Sequence, residues 1–508
     1  MEKFKFYSAF IFIFTLLSAG CANISDNTFT KKVEKNSLLA RQASCELFYS
    51  SLDKAVSRED VMDVQTTQVI KYPFLSMNRF LLSFKNELAS SEQKSFWLTE
   101  AAKLNRQKRK FEWSNLATST KSFIKKKHLK SLSFEQRLKS CSNELLLRLD
   151  NNNISDIINT AEVKDDYSSN MRTLGLYPLT SIIVQKQIKK HHKTTRDTFN
   201  KELHQLPVKG ELQRYVPDTN QATFNNLTDD TVNKENPLGI PFISSTTLNE
   251  LFNQYAPTLE IDETGDYDKN GEIKLNDKNR AYIDTDSPAV YILPSYTRFA
   301  EKTLLQLNYF FWFPERPQQK DFDLYSGKFD GIIWRVTLDE NLKPLLFDSV
   351  HNCGCYHKFY STQNMKFNLE AALLEKEPPF LAQHNIAPEE NTSWVLRINS
   401  VNHFIERIYQ KNQFDKDAKS YSLQSYHQLR HLAVNKSTNK RKSESFFSDN
   451  GIVKSSKRLE RFILWPMGIP SAGAMRQWGH HATAFVGKRY FDDSDLLDKY
   501  FTLEPDTN

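Results

Sequence analysis

The run His351-Asn352-Cys353-Gly354-Cys355-Tyr356-His357 sets four nitrogen and sulfur donors at alternate positions, directly after the apolar stretch Leu345 to Val350. If the chain stays extended, alternation puts His351, Cys353, Cys355 and His357 on one face. Imidazole and thiolate are the ligands that zinc and copper prefer, so the four are candidate metal ligands. Same-face neighbours on a straight strand stand about 6.5–7 Å apart, so a shared ion needs a bend, which Gly354 could supply. Two alternatives stand beside metal binding: a tight Cys353–Cys355 bridge, or histidines that only bond a loop while the cysteines pack. His403, after the apolar run Trp394 to Ile398, and His480, in Arg476-Gln477-Trp478-Gly479-His480-His481, are further candidate ligands. A zinc hydrolase would draw on His351, His357 and one of His403 or His480, keep water in the open position, and use Asp348 or Glu406 as base.

A second constellation, Asp266-Tyr267-Asp268-Lys269-Asn270-Gly271-Glu272-Ile273 with Asp277 at the twelfth place, has the oxygen spacing of a calcium loop. Its candidate ligands are Asp266, Asp268, Asn270, Glu272 and Asp277, with Gly271 at the sharp turn. Asp277 stands where a calcium loop carries Glu, and no amphipathic helix precedes the run. An acidic glycine turn between strands explains the same residues. Gly468-Ile469-Pro470-Ser471 is not a serine-hydrolase elbow, because Ile469 occupies the place that needs Gly.

These groups must be positioned by an α+β chain. From residue 36 to 205 apolar residues recur at three and four and glycine is scarce, so this region is expected to be helical. Residues 206–245 read as a polar linker. Residues 246–508 turn to short aromatic and β-branched runs, a β-rich, sandwich-like domain with helical and loop insertions. The strand candidates are Val290 to Ile292, Leu305 to Phe313, Gly331 to Leu338, Pro344 to Val350, Trp394 to Ile398 and Ala482 to Val486. The Ser/Lys/Asn-rich stretch 411–458 reads as an exposed insertion. Cys45 and Cys141 fall in two helical stretches, where an exported chain could staple them or bury them as free thiols.

The start of the chain supplies the compartment. Lys3 and Lys5 precede the apolar run Phe10 to Leu17 and the small residues Ser18, Ala19 and Gly20, the layout of a signal peptide over residues 1–20. Leu17-Ser18-Ala19-Gly20-Cys21 resembles a bacterial lipobox, which implies that Cys21 is lipidated and that residues 21–35 tether the chain to a membrane. Ala22 after the cysteine implies the outer membrane by resemblance to enterobacterial sorting. The net charge of +7 concentrates between Lys103 and Lys139, where twelve Lys/Arg face two Glu. Such a face suits an anionic envelope polymer, and a solvated helix face is the plainer reading. No nucleic-acid partner is expected of an exported, lipid-anchored chain.

Tyr296-Thr297-Arg298, Trp312-Phe313-Pro314, Asp330-Gly331, Trp334 to Asp339 and the His/Cys run together resemble a block that recurs in uncharacterised proteobacterial envelope lipoproteins. That resemblance implies a location and no activity. The layout of an aromatic strand, a loop and a Trp-bearing strand also faintly resembles secreted necrosis-inducing β-sandwich proteins. Their acidic His-rich signature is absent, with Phe329 to Trp334 in its place, so neither their calcium nor their toxicity carries over. The sequence reading is therefore a lipid-anchored, metal-stabilised binding or structural module of the envelope, with the zinc hydrolase as its rival.

Overall fold

The computed structural model describes residues 26–218, 232–233, 236–389, 392–412, 417–434 and 441–504. The expected signal peptide and Cys21 lie outside them. Among the described residues no helix is long and apolar enough to cross a membrane.

The helical region opens with α1 (Asp26–Glu59), which already includes the later residues of the expected tether. The longest helices that follow are α2 (Ser91–Asn115), α3 (Phe134–Leu146) and α4 (Tyr177–Phe199). Ser90 and Ser133 cap α2 and α3, each accepting from the backbone three residues on while Gln93 or Gln136 reaches back. Two amide donors are satisfied at each helix start. Phe48, Leu52, Trp97, Leu138 and their neighbours form one core, and a Cys45–Cys141 disulfide ties α1 to α3 within it.

The β-rich part is one curled sheet of eleven strands, which completes the expected α+β fold. In chain order these are β1 (Glu211–Pro217), β2 (Thr258–Glu263), β3 (Ala289–Phe299), β4 (Lys302–Arg316) and β5 (Gly327–Leu338). There follow β6 (Pro344–His351), β7 (Lys358–Thr362), β8 (Phe380–Ile386), β9 (Ser393–Ile398), β10 (Ile405–Lys411) and β11 (Lys419–Ser425). Across the sheet the order is β8-β7-β6-β5-β4-β3-β11-β1-β2-β9-β10. Along β4, Leu307, Tyr309 and Phe311 join one apolar cluster while Phe310 and Trp312 join another on the opposite face. A strand covered on both faces has no polar alternation, which is why Leu305 to Phe313 reads as a nearly continuous apolar run.

The curl brings the two edges together. Gln383 on β8 donates to the Ile408 carbonyl on β10 at 3.0 Å and accepts from the Ile408 amide at 2.8 Å. Trp394 on β9 meets Phe347 on β6, their ring centroids 4.5 Å apart. Helix α4 lies over this seam and touches both β8 and β10.

Three expected boundaries differ from this arrangement. The stretch 411–458 is not an exposed insertion: it supplies β11 inside the sheet, and Tyr421, Tyr426, Phe446 and Phe447 are buried. Its polar residues disguise it because single aromatics, rather than an apolar run, anchor it. The linker 206–245 supplies β1. Ala482 to Val486 forms no strand; a lone bridge from Ala482 to Tyr490 holds it, and the amides of Phe485 and Val486 are bonded by the Glu377 carboxylate.

Candidate functional site

The His/Cys run leaves the strand at its first residue. Gly354 takes φ +91°, the His351 amide donates to the Cys355 carbonyl at 3.0 Å, and the Gly354 amide donates to the His351 carbonyl at 2.7 Å. A tight turn replaces the extended chain, so the alternation that would align four donors is lost. Cys353 and Cys355 are free thiols, with the Cys355 amide 3.4 Å from the Cys353 sulfur.

The candidate histidines then fall beside three different groups of carboxylates. His357 donates from Nε2 to Asp348 at 2.8 Å, and Asp348 also holds the Arg335 guanidinium, at 2.8 Å from Nε. His351 lies 3.7 Å from Asp330, and neither of its ring nitrogens is hydrogen-bonded. His403 stands between Asp330 and Asp268. His480 reaches Asp166 at 3.0 Å and the Val64 carbonyl at 2.8 Å. Among the described residues no three His, Cys, Asp or Glu side chains come together as a metal-holding group. The geometry expected for zinc or copper is not assembled. Of the proposed bases, Asp348 orients His357, whereas Glu406 bonds Asn399.

The calcium spacing meets the same fate. Asp266 is exposed and pairs with Lys269, and Glu272 pairs with Lys274 at 3.0 Å. Asp268 turns inward to the Val401 amide and to Thr264, while Asn270 donates to the Ala289 carbonyl. Glu272 opens the extended segment Glu272–Leu275, and Asp277 follows beyond its end. Asp266, Asp268, Asn270 and Glu272 are thus each engaged by a different neighbour.

A cavity of about 180 Å³ does collect chemistry, between α4, the His/Cys turn and the start of β7. His191, His192, His357, Lys358, Glu377 and Glu460 line it, beside Cys355 and Arg489. Val184, Gln187, Ile188, His191, His192 and Thr195 form its α4 wall, the spacing of one helix face. That spacing was the available signal for His191 and His192. It is hard to read because both histidines stand far along the chain from the His/Cys run.

Burial sets the charge states. Burial lowers His191, His192 and His357 to about 4, the last against the pull of Asp348, so all three imidazoles are neutral near pH 7. Burial lowers Lys358 to about 8, only weakly opposed by Glu406, and the amine has no carboxylate partner among the described residues. Its Nζ sits 5.3 Å from the centre of the Phe404 ring. Burial also raises Glu460 to about 7, overcoming Arg458 and Arg316. Arg489 is fixed by the Glu377 carbonyl and by Thr483.

No family model, characterised protein or solved structure matches this chain. The site has to be interpreted from its own chemistry. A Glu tuned up and a Lys tuned down towards neutrality are the marks of groups prepared to exchange protons.

The basic stretch 103–139 divides. Lys108 and Arg109 are buried with Glu112, and Arg109 also pairs with Asp53. Lys103, Arg106, Lys110 and Lys139 line a second, larger cavity between the helices and the sheet.

Proposed function

We propose that this chain is a lipid-anchored protein of the bacterial envelope, held at the outer membrane through Cys21, whose cavity under α4 is an acid–base site for a small polar substrate. The observation that carries the reading is the gathering of Lys358, Glu460 and three neutral imidazoles around one small cavity. His357 is a hydrogen-bond acceptor for the substrate: its Nε2 proton is engaged by Asp348, which fixes the ring and leaves Nδ1 unbonded. Glu460 is the acid, raised to about 7 so that a large share of it is still protonated near neutrality. Lys358, brought down to about 8, is the base in its neutral form. The cavity is smaller than the about 300–1,000 Å³ usual for drug-sized ligands, which limits the occupant to a small molecule or the end of a chain.

This reading is preferred to the metal-stabilised module and to the zinc hydrolase, because His357 lies on Asp348 and His480 on Asp166, away from His351 and His403 beside Asp330. Infrared titration of the wild type against Glu460→Gln tests it. A carboxyl that ionises near pH 7 and vanishes in the variant supports the acid role; ionisation near the ordinary 4.5 overturns it. The anchor has its own test, since Cys21→Ser should move the protein to the soluble periplasmic fraction. Unchanged membrane fractionation would remove it.

A further inference from the structure

The junction between the helical region and the sheet encloses about 710 Å³, within the about 300–1,000 Å³ range of small-molecule sites. Its floor is apolar, with Leu81, Leu104 and Leu138 on the helical side and Leu293, Tyr296 and Trp478 on the other. Its rim is basic. Lys103 and Lys110 are exposed and already paired, with Glu100 at 3.2 Å and Glu135 at 2.9 Å. Among the described residues Arg106 bonds only the Ser142 hydroxyl, at 2.9 Å, and exposed Lys139 has no partner. Asp492, which also lines the cavity, is held by Arg79. Two cations without carboxylate partners therefore stand at the mouth of an apolar chamber.

We infer that this cavity binds an amphiphile with one acyl chain and an anionic head group. The chain lies between the leucines of the helices and Tyr296 and Trp478 of the sheet side, where its methylenes leave water for apolar surface. The head group meets Lys139 and Arg106, whose aliphatic stems run along apolar surface while their charged ends stay in water. The inference stands independently of the acid–base reading, since none of the residues under α4 takes part.

The test uses the full mature chain as Cys21→Ser, which carries no lipid of its own, with fluorescent cis-parinarate as probe. Oleate and lysophosphatidylglycerol should displace the probe, whereas neutral monoolein should not. Stronger displacement by oleate assigns a carboxylate head, and stronger displacement by the lysophospholipid a phosphodiester; either supports the site. Lys139→Glu, a change at an exposed side chain, should weaken binding severalfold, and Lys139→Glu with Arg106→Glu by about tenfold or more, a loss of about 1.4 kcal/mol. Failure of the probe to bind, equal competition by monoolein, or unchanged affinity in Lys139→Glu would overturn the inference.

Discussion

Nδ1 of His403 lies 2.9 Å from Asp330, and both side chains are wholly buried. On its other side Nε2 is 3.2 Å from Asp268, outside hydrogen-bond geometry. Arg458 completes the chain, 3.2 Å from Asp330. Burial alone would keep the imidazole neutral; the two carboxylates overrule it and raise its pKa. Burial would likewise raise Asp330, and Arg458 with the two histidines reverses this, holding it well below 3.8.

The signs give a pH profile. A group whose pKa is raised on folding stabilises fully below its unfolded value, 6.5 for His403, and loses that contribution as pH rises through the folded value. Asp330 acts in the other direction: its contribution is present above 3.8 and is lost as pH falls through its lower folded value. His403→Leu leaves two buried carboxylates short of a cation and should cost about 3–5 kcal/mol. Urea unfolding between those limits measures it; a loss below about 1 kcal/mol would match an exposed pair instead.

Gly354 explains why a site legible as spacing was not legible as geometry. His351, Cys353, Cys355 and His357 alternate correctly, but a positive φ two residues before Tyr356, itself at φ +63°, cannot be read from neighbouring donors. The long apolar strands from Val290 to Val350 were legible because they are buried on both faces. β11 was not, since it is anchored by Tyr421 among polar neighbours. His191 and His192 were hidden by distance, being over 150 residues from the His/Cys turn that their helix covers.

Gly354→Ala should be poorly tolerated. An added Cβ would stand 2.4 Å from the Ala482 carbonyl oxygen, on a backbone that disfavours L side chains. Loss of about 1–3 kcal/mol is expected from the strained conformation. Wild-type thermal stability in this variant would mean that the turn is not held as described.

Reduction of Cys45–Cys141, or the double change to Ser, should lower stability by about 4–5 kcal/mol, because the link closes a loop with a sequence separation of 96. Calorimetry with and without reductant checks this. An unchanged transition would show that the helices hold each other without the bond.

Lys358→Met should stabilise the fold at neutral pH. The fall of the amine from 10.5 to about 8 is worth about 3 kcal/mol against the charged form. Between these values the unfolded chain binds the extra proton, so wild-type stability rises with pH and the advantage of Met shrinks. Equal stability of the two proteins at pH 7 would be inconsistent with a buried, unpartnered amine.

The most direct measurement is the titration of Lys358 itself, by competitive acetylation with limiting acetic anhydride from about pH 6 to about pH 11, a span that brackets an ordinary lysine, with each lysine followed by peptide mass spectrometry. The acid–base site predicts a Lys358 midpoint at about 8, well below the ordinary lysine value of 10.5. A Lys358 midpoint near 10.5, or complete protection of this amine at every pH, would contradict it.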